Sequence, residues 1–172
     1  MKTRAFTLIE LLVVVLIIGI LTAIAVPQYQ KAVMKASLHK GISLVSSLYQ
    51  AQQAYYLTNG DFATDIDDLD VSLPLDESCT KEQSSLNSRY SCDFGTIGFG
   101  DQMSNIQFKD PNNQMIYSYS FKDYAASKYT LEAGKRYCYA KGTNNIALQI
   151  CQDLGGEVIF SHKTDWNRYK LP

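Results

Sequence analysis

The sequence is poor in the side chains that most often carry catalysis. It contains two histidines among 172 residues, His39 and His162. Neither lies in a nucleophile motif such as G-x-S-x-G, and both fit surface positions. The glycine-rich stretch GTIGFG lacks the lysine of a phosphate-binding loop and does not open a predicted helix. We therefore predict that the chain is not an enzyme.

The sequence also lacks an excess of either charge. It has 16 lysines and arginines against 17 acidic residues, a formal net charge of −1. No basic field therefore indicates nucleic acid or an anionic membrane surface. The segment HKTDWNRYK, residues 162–170, interleaves basic and aromatic side chains in a way that can bind single-stranded nucleic acid. A terminal strand with one face in the core explains the segment better, so we predict no nucleic-acid partner.

Long apolar runs are absent except for one, from Phe6 to Val26. Its 21 residues would span roughly 31 Å as a helix, enough to cross the apolar core of a bilayer. Lys2 and Arg4 precede it without any acidic residue, which predicts that this end is cytoplasmic and the rest lies beyond the inner membrane. An ordinary secretory signal peptide would be shorter and would end in a small-residue cleavage site. We therefore expect a single-pass membrane segment.

Glu10 is the only charged residue within this apolar run. A carboxylate near the end of a membrane helix costs up to a few kcal/mol unless it reaches the interface or a partner. Taken alone, the position fits an acid that reaches the membrane boundary.

The four cysteines form no CxxC pair and the chain has no clustered histidines, so a zinc site is not favoured. Cys79 and Cys92 are 13 residues apart, as are Cys138 and Cys151. An even number in an exported domain indicates disulfides, of which three connectivities are possible. We favour the sequence-local pairing, each bond stabilising the domain by about 3 kcal/mol. The aspartates of DFATDIDDLD could bind calcium but lack the EF-hand spacing, so neither a metal nor a cofactor is predicted.

Helical periodicity continues beyond Pro27. Apolar and amide residues recur at steps of four and three: Leu38, Ile42, Val45, Leu48, Gln52 and Tyr55. Asn59 and Gly60 form a stop signal, so residues 27–59 are predicted to be the amphipathic half of one long helix. Residues 60–172 then form a globular extracytoplasmic domain, with strand-like alternation after Gly95 and a short helix in NNIALQICQDLGG. The predicted fold class is α+β, a long N-terminal helix packed on an antiparallel sheet.

The N-terminal residues RAFTLIE, from Arg4 to Glu10, resemble the processing site of type IV prepilins and pseudopilins. In that family a short basic leader is cut just before a Phe, and a Glu follows four residues later. Gly19 and Pro27 stand where the family usually has helix-weakening residues. The stretch QAQQAYYLTNGDFATDIDDLDV is similar to the family's passage from helix to acidic loop. Ala5 departs from the pattern, because Gly is usual before the cut.

The resemblance implies a role for each of these residues. Residues 1–5 would be a leader removed between Ala5 and Phe6 by the prepilin peptidase, which would also N-methylate Phe6. In a filament, Glu10 would neutralise the Phe6 amine of a neighbouring subunit and fix the axial register. The helix between Gly19 and Pro27 would partly unwind. The pair Cys138 and Cys151 resembles the disulfide that bounds the family's C-terminal region.

The function that the resemblance implies is a structural subunit of a type IV pilus-like filament. Its partners would be copies of itself or other pilins, together with the assembly platform and its ATPase. It would lie in the inner membrane before assembly and at the cell surface or in the periplasm afterwards. A pseudopilin of a type II secretion system and a minor pilin for DNA uptake remain alternatives. From a different class, a membrane-tethered extracytoplasmic binding domain or enzyme also remains open.

Overall fold

The computed structural model describes residues 7–73, 75, 77–84, 87–100, 104–127 and 129–172. The proposed cleavage site, Ala5 and Phe6, lies outside these residues. The chain divides into two compact units, Met1–Met34 and Lys35–Pro172.

Helix α1 spans Leu8–Asn59 and has 52 residues, which confirms the long N-terminal helix. It is continuous through Gly19 and Pro27, so the predicted unwinding is not a property of the single chain. The helix ends as the sequence indicated. Gly60 adopts a φ of 76°, which favours glycine, and its N–H donates to the carbonyl of Tyr56 at 2.8 Å.

The second unit contains one antiparallel eight-stranded sheet, in the order β1-β2-β3-β4-β5-β8-β10-β9. Its strands are β1 (Thr80–Ser84), β2 (Asn87–Cys92), β3 (Gly95–Gly100), β4 (Asn105–Lys109), β5 (Met115–Ser120), β8 (Arg136–Lys141), β9 (Glu157–Phe160) and β10 (Trp166–Lys170). Two short strands, β6 (Tyr124–Ala125) and β7 (Thr130–Leu131), pair separately. A 3-10 turn spans Ile66–Asp68, and helix α2 spans Asn145–Asp153.

One face of the sheet packs against the Lys35–Asn59 part of α1. The predicted apolar stripe is largely correct, because Leu38, Val45, Leu48 and Gln52 are buried there. Gly41 sets the closeness of the contact, since a Cβ at this position would lie 2.1 Å from the Phe108 ring. The helix backbone at Gly41 therefore lies directly against the Phe108 ring of the sheet.

The opposite face of the sheet is covered in part by the β6–β7 hairpin. Leu131 from the hairpin is fully buried against Tyr137 and Tyr139 of β8. The backbone N–H of Glu132 donates to the Tyr137 hydroxyl at 2.7 Å, which holds the hairpin down. The domain thus has a second, smaller core on the face away from α1.

One difference from the sequence prediction concerns the first two strands of the sheet. Strands β1 and β2 were not expected, because their polar sequences TKEQS and NSRYSC show no apolar alternation. They form a hairpin at the edge of the sheet, where many side chains face solvent and not a core.

Helix α2 confirms the short helix predicted in NNIALQICQDLGG. The Asn144 side chain is its N-cap and accepts from the Ala147 N–H at 3.0 Å.

Candidate assembly surface

The first unit presents an apolar surface on all sides of α1. Every Leu, Ile and Val from Leu8 to Val26 is at least 45% exposed within the chain. This helix is long and apolar enough to cross a membrane by length and composition. A helix that is apolar all round is stable only in lipid or among other helices, so this surface requires one of these surroundings.

Glu10 takes part in a capping box at the start of α1. Its Oε2 accepts from the backbone N–H of Thr7 at 2.8 Å and from the Thr7 hydroxyl at 2.6 Å. The Glu10 N–H points back to Thr7 Oγ1 at 3.4 Å. The spacing Thr-x-x-Glu is the sequence signature of this motif, so the cap could have been predicted from the sequence alone. Glu10 therefore has a role within its own chain.

The other carboxylate oxygen of Glu10, Oε1, takes no part in the capping box. Oε1 accepts no hydrogen bond from any residue in the described part of the chain. The capping box therefore orients the carboxylate through Oε2. The structure does not describe Phe6, so the pairing of Glu10 with a Phe6 amine stays a prediction.

Gly19 is not required by packing within the chain. A Cβ at Gly19 would meet no atom within 4 Å. Nearby, the Thr22 hydroxyl donates to the carbonyls of Ile18 and Gly19 at 2.8 and 3.1 Å. Pro27 removes the N–H that would otherwise bond to the carbonyl of Ala23. A reason for Gly19 must therefore come from backbone freedom or from a neighbouring molecule.

The acidic loop after α1 is held by ion pairs to the β1–β2 hairpin. Lys81 Nζ lies 2.9 Å from Asp65 Oδ2 and 2.6 Å from Asp67 Oδ2. Asp65 also accepts from Ser88, and Asp67 from the Tyr90 hydroxyl at 2.6 Å. In the described part of the chain no group of three or more His, Cys, Asp or Glu could hold a metal ion. Two of the five aspartates considered for calcium are thus engaged in structural pairs.

These contacts shift the pKa values of the loop. The hydrogen bonds from Lys81 and then Tyr90 lower the pKa of Asp67. Burial acts to raise the pKa of Asp65, but hydrogen bonds from Asp67 N–H, Lys81 and Ser88 outweigh it and the net shift is downward. The same pairs raise the pKa of Lys81. All three groups therefore stay charged at neutral pH.

The structure contains two disulfides, Cys79–Cys92 and Cys138–Cys151. This is the sequence-local pairing out of the three connectivities. The first bond closes the β1–β2 hairpin, and the second ties β8 to α2. Cys138 and Cys151 are completely buried, so the second bond also forms part of the core.

Comparison with protein families gives two matches along the chain. Residues 39–155, more than half of the sequence, match the family described as type IV pilin-like G and H. Residues 1–26 match the prokaryotic N-terminal methylation motif. The second match covers both the proposed cleavage site and Glu10.

Curated relatives are similar over segments of 54 to 59 residues. A fimbrial protein of Neisseria meningitidis is 41% identical over 59 residues, 34% of this chain and 35% of the relative. A fimbrial protein of Pseudomonas aeruginosa is 48% identical over 54 residues, 31% and 35% of the two chains. A type IV major pilin protein of Neisseria gonorrhoeae is 42% identical over 57 residues, 33% and 34%.

The aligned segment thus spans about a third of each of these relatives. No solved structure matches the chain. The family match, however, extends over most of the globular domain and agrees with the long helix packed on an antiparallel sheet. The chain therefore belongs to the type IV pilin family.

Proposed function

We propose that the chain is a structural subunit of a type IV pilus-like filament. The observation that carries this proposal is the apolar surface of α1, exposed on all sides from Leu8 to Val26. Such a helix can exchange lipid for neighbouring copies of itself without exposing apolar area to water. Before assembly it would anchor the precursor in the inner membrane, and afterwards it would form the filament core.

Processing by the prepilin peptidase belongs to the same proposal. Cleavage between Ala5 and Phe6, followed by N-methylation of Phe6, would place a cationic amine next to the start of α1. Support comes from the match of residues 1–26 to the N-terminal methylation motif. The printed names of the curated relatives, fimbrial protein and type IV major pilin, are consistent with a filament.

Glu10 would bind the Phe6 amine of a neighbouring subunit through its available Oε1. In a water-excluded core, a charge left without its partner costs about 3–5 kcal/mol. Subunits therefore assemble favourably only in the axial register that brings the two groups together. The capping box with Thr7 contributes by holding the carboxylate in one orientation.

The test is intact mass measurement with N-terminal sequencing on two fractions, sheared cell surface and membranes. A chain beginning at N-methylated Phe6 in the sheared fraction supports a filament subunit. The same processed chain confined to membranes favours a pseudopilin of a type II secretion system or a minor pilin. An uncut chain beginning at Met1 contradicts the proposal and favours a membrane-tethered binding domain or enzyme.

A further inference from the structure

The face of the sheet that points away from α1 carries an arginine surrounded by aromatic rings. Arg168 lies on β10, and its neighbours in the strand register are Tyr139 on β8 and Phe160 on β9. Its guanidinium carbon is 5.5 Å from the Tyr139 ring centroid and 5.4 Å from that of Phe160. Tyr129, next to the β6–β7 hairpin, covers it at 4.0 Å. Three rings from three different segments therefore surround one cation.

At least one donor of this arginine lacks a hydrogen-bond partner among the described residues. The Nε of Arg168 is buried and has no hydrogen-bond partner. Within the described ranges, no carboxylate lies at ion-pair distance from the Arg168 guanidinium. By contrast, Lys170 two residues later is paired with Glu132 at 2.6 Å. A guanidinium presents up to five donors in a planar fork that matches a carboxylate.

Local backbone geometry and a second cation extend the site. The pairing of β10 with β9 shifts register between Arg168 and Tyr169, and such bulges redirect side chains. Trp166 lies two residues before Arg168 on the same face and packs against the same tyrosine cluster. Lys141 Nζ lies 5.8 Å from the Trp166 ring centroid. Arg168, Trp166, Tyr129 and Phe160 are all half-buried, so parts of this cluster remain open to solvent.

We propose that this cluster binds a small organic acid whose single carboxylate is carried on a ring. The carboxylate would accept from the terminal Nη donors of Arg168, since its Nε is buried, and the ring would stack on Trp166 and Tyr129. Aromatic side chains beside a few convergent polar groups are the usual composition of small-ligand sites. The ring could be that of an acidic sugar or of an aromatic acid, which share this chemistry.

Charge argues against a polyanion such as single-stranded nucleic acid. Residues 60–172 contain 16 acidic and 11 basic residues, a formal net charge of −5. Nucleic-acid binding requires a track of cations that follows successive phosphates. Among the described residues, the cations of the cluster are Arg168, which has no ion pair, and Lys141 near Trp166, and this small number suits a ligand with one charge.

The experiment uses Trp166, which is the only tryptophan of the chain and therefore reports on this site alone. The full-length protein in detergent is titrated with glucuronate and with benzoate, and the fluorescence of Trp166 is recorded. Glucose controls for a ring without charge, and acetate for charge without a ring. We expect a saturable change with glucuronate or benzoate and at least about tenfold weaker responses to glucose and acetate. Which of the two acids binds more tightly identifies the kind of ring.

Two variants separate the site from general charge. Arg168→Gln should weaken binding at least about tenfold, whereas Lys163→Gln, which removes an exposed cation outside the cluster, should change it less than about twofold. Should Arg168→Gln fail to fold, saturation-transfer NMR on the unmodified protein tests transfer from aromatic protons to the ligand ring. Absence of that transfer overturns the proposal.

Other outcomes also contradict it. Equal responses to acetate and glucuronate would exclude a contribution from the ring. Tighter, strongly salt-dependent binding of a single-stranded oligonucleotide would identify a polyanion site instead. Loss of stability in Arg168→Gln with no ligand binding in the unmodified protein would show that Arg168 only anchors the hairpin. None of these results bears on filament assembly, because the site lies outside α1.

Discussion

The two units of this chain differ in whether their apolar side chains are exposed or buried. In the first unit, valine, leucine and isoleucine are exposed all around one helix, with at least 45% of each surface accessible up to Val26. In the second unit, residues such as Val45, Leu48 and Ile97 are completely buried between α1 and the sheet. The second unit is therefore satisfied within one chain, whereas the first needs lipid or other copies. Changes in the two units should accordingly affect different measurements, assembly in one and unfolding in the other.

The largest effect is expected at Glu10, where a substitution can remove the negative charge of the side chain and keep the capping box. Glu10→Gln keeps an acceptor suited to the capping box but removes the negative charge. If Glu10 neutralises a neighbouring amine in an apolar core, filament yield should fall by about two to three orders of magnitude while membrane insertion and cleavage continue. Yield is measured in sheared fractions from cells that express this variant alone as the only pilin.

The matched control for that experiment is Thr7→Ala. It removes the cap, at about 1 kcal/mol, and leaves the carboxylate in place. Filaments should still form in substantial yield. Normal assembly of Glu10→Gln, or equal loss in both variants, would contradict neutralisation and indicate that capping is the main role of Glu10.

The next effect concerns the two disulfides, which close loops of equal length. Each pair is 13 residues apart, so the loss of loop-closure entropy should be similar, about 3 kcal/mol. Cys138 and Cys151 are also buried, and replacing both by alanine should cost more than replacing Cys79 and Cys92. Urea unfolding of the full chain in detergent, followed by near-UV circular dichroism, compares the two double variants. Equal midpoints would show that burial of the second bond adds nothing.

A smaller effect, of opposite sign in the two units, is expected from replacing glycine by alanine. Gly41→Ala should destabilise the second unit by about 1–3 kcal/mol, because its methyl group would overlap the Phe108 ring. Gly19→Ala should instead strengthen α1 by up to about 1 kcal/mol, since it meets no neighbour. Urea midpoints measure the first, and helicity in detergent by far-UV circular dichroism measures the second.

Filament yield of Gly19→Ala then tests the role of helix weakening. If the helix between Gly19 and Pro27 unwinds on assembly, a more stable helix should lower the yield. Normal filaments from a variant with increased helicity would argue against that unwinding.

The smallest effect is expected from the ion pairs of Lys81. The pKa values of Asp65 and Asp67 are lowered in the folded state, so their contribution to stability is present above the ordinary aspartate pKa of about 4. It is lost as the pH falls through the lowered values. Lys81→Met should therefore reduce the thermal midpoint slightly at pH 7, and the difference from the unmodified protein should vanish near pH 2. A difference that persists at that pH would assign the effect to packing of the Lys81 side chain.

Much of the fold could be predicted because its signals are local. The helical period from Leu38 to Gln52, the stop at Gly60 and the Asn144 cap of α2 depend only on neighbouring residues. The β1–β2 hairpin could not be predicted, because an edge hairpin held by a disulfide and by Lys81 needs no apolar pattern. The Arg168 cluster could not be predicted either, since its rings come from residues 129, 139 and 160, which only strand register and the packing of the β6–β7 hairpin bring together.

The sequence by itself determined that one part of the chain needs an apolar environment. The run from Phe6 to Val26 contains Glu10 as its only charged residue. Its need for an apolar environment follows from composition and helical geometry, so no tertiary contact is required to infer it. Only the tertiary structure decided which cysteines and charged side chains of the globular domain are paired with one another. Packing of α2 on the sheet brings Cys151 to Cys138 of β8, and packing of the 3-10 turn on β1 pairs Asp67 with Lys81. Arg168 lies among three rings, with no carboxylate of the described residues at ion-pair distance. The physical reason is that partners distant in sequence become neighbours only when the helices, turns and strands pack together, which local sequence patterns do not specify.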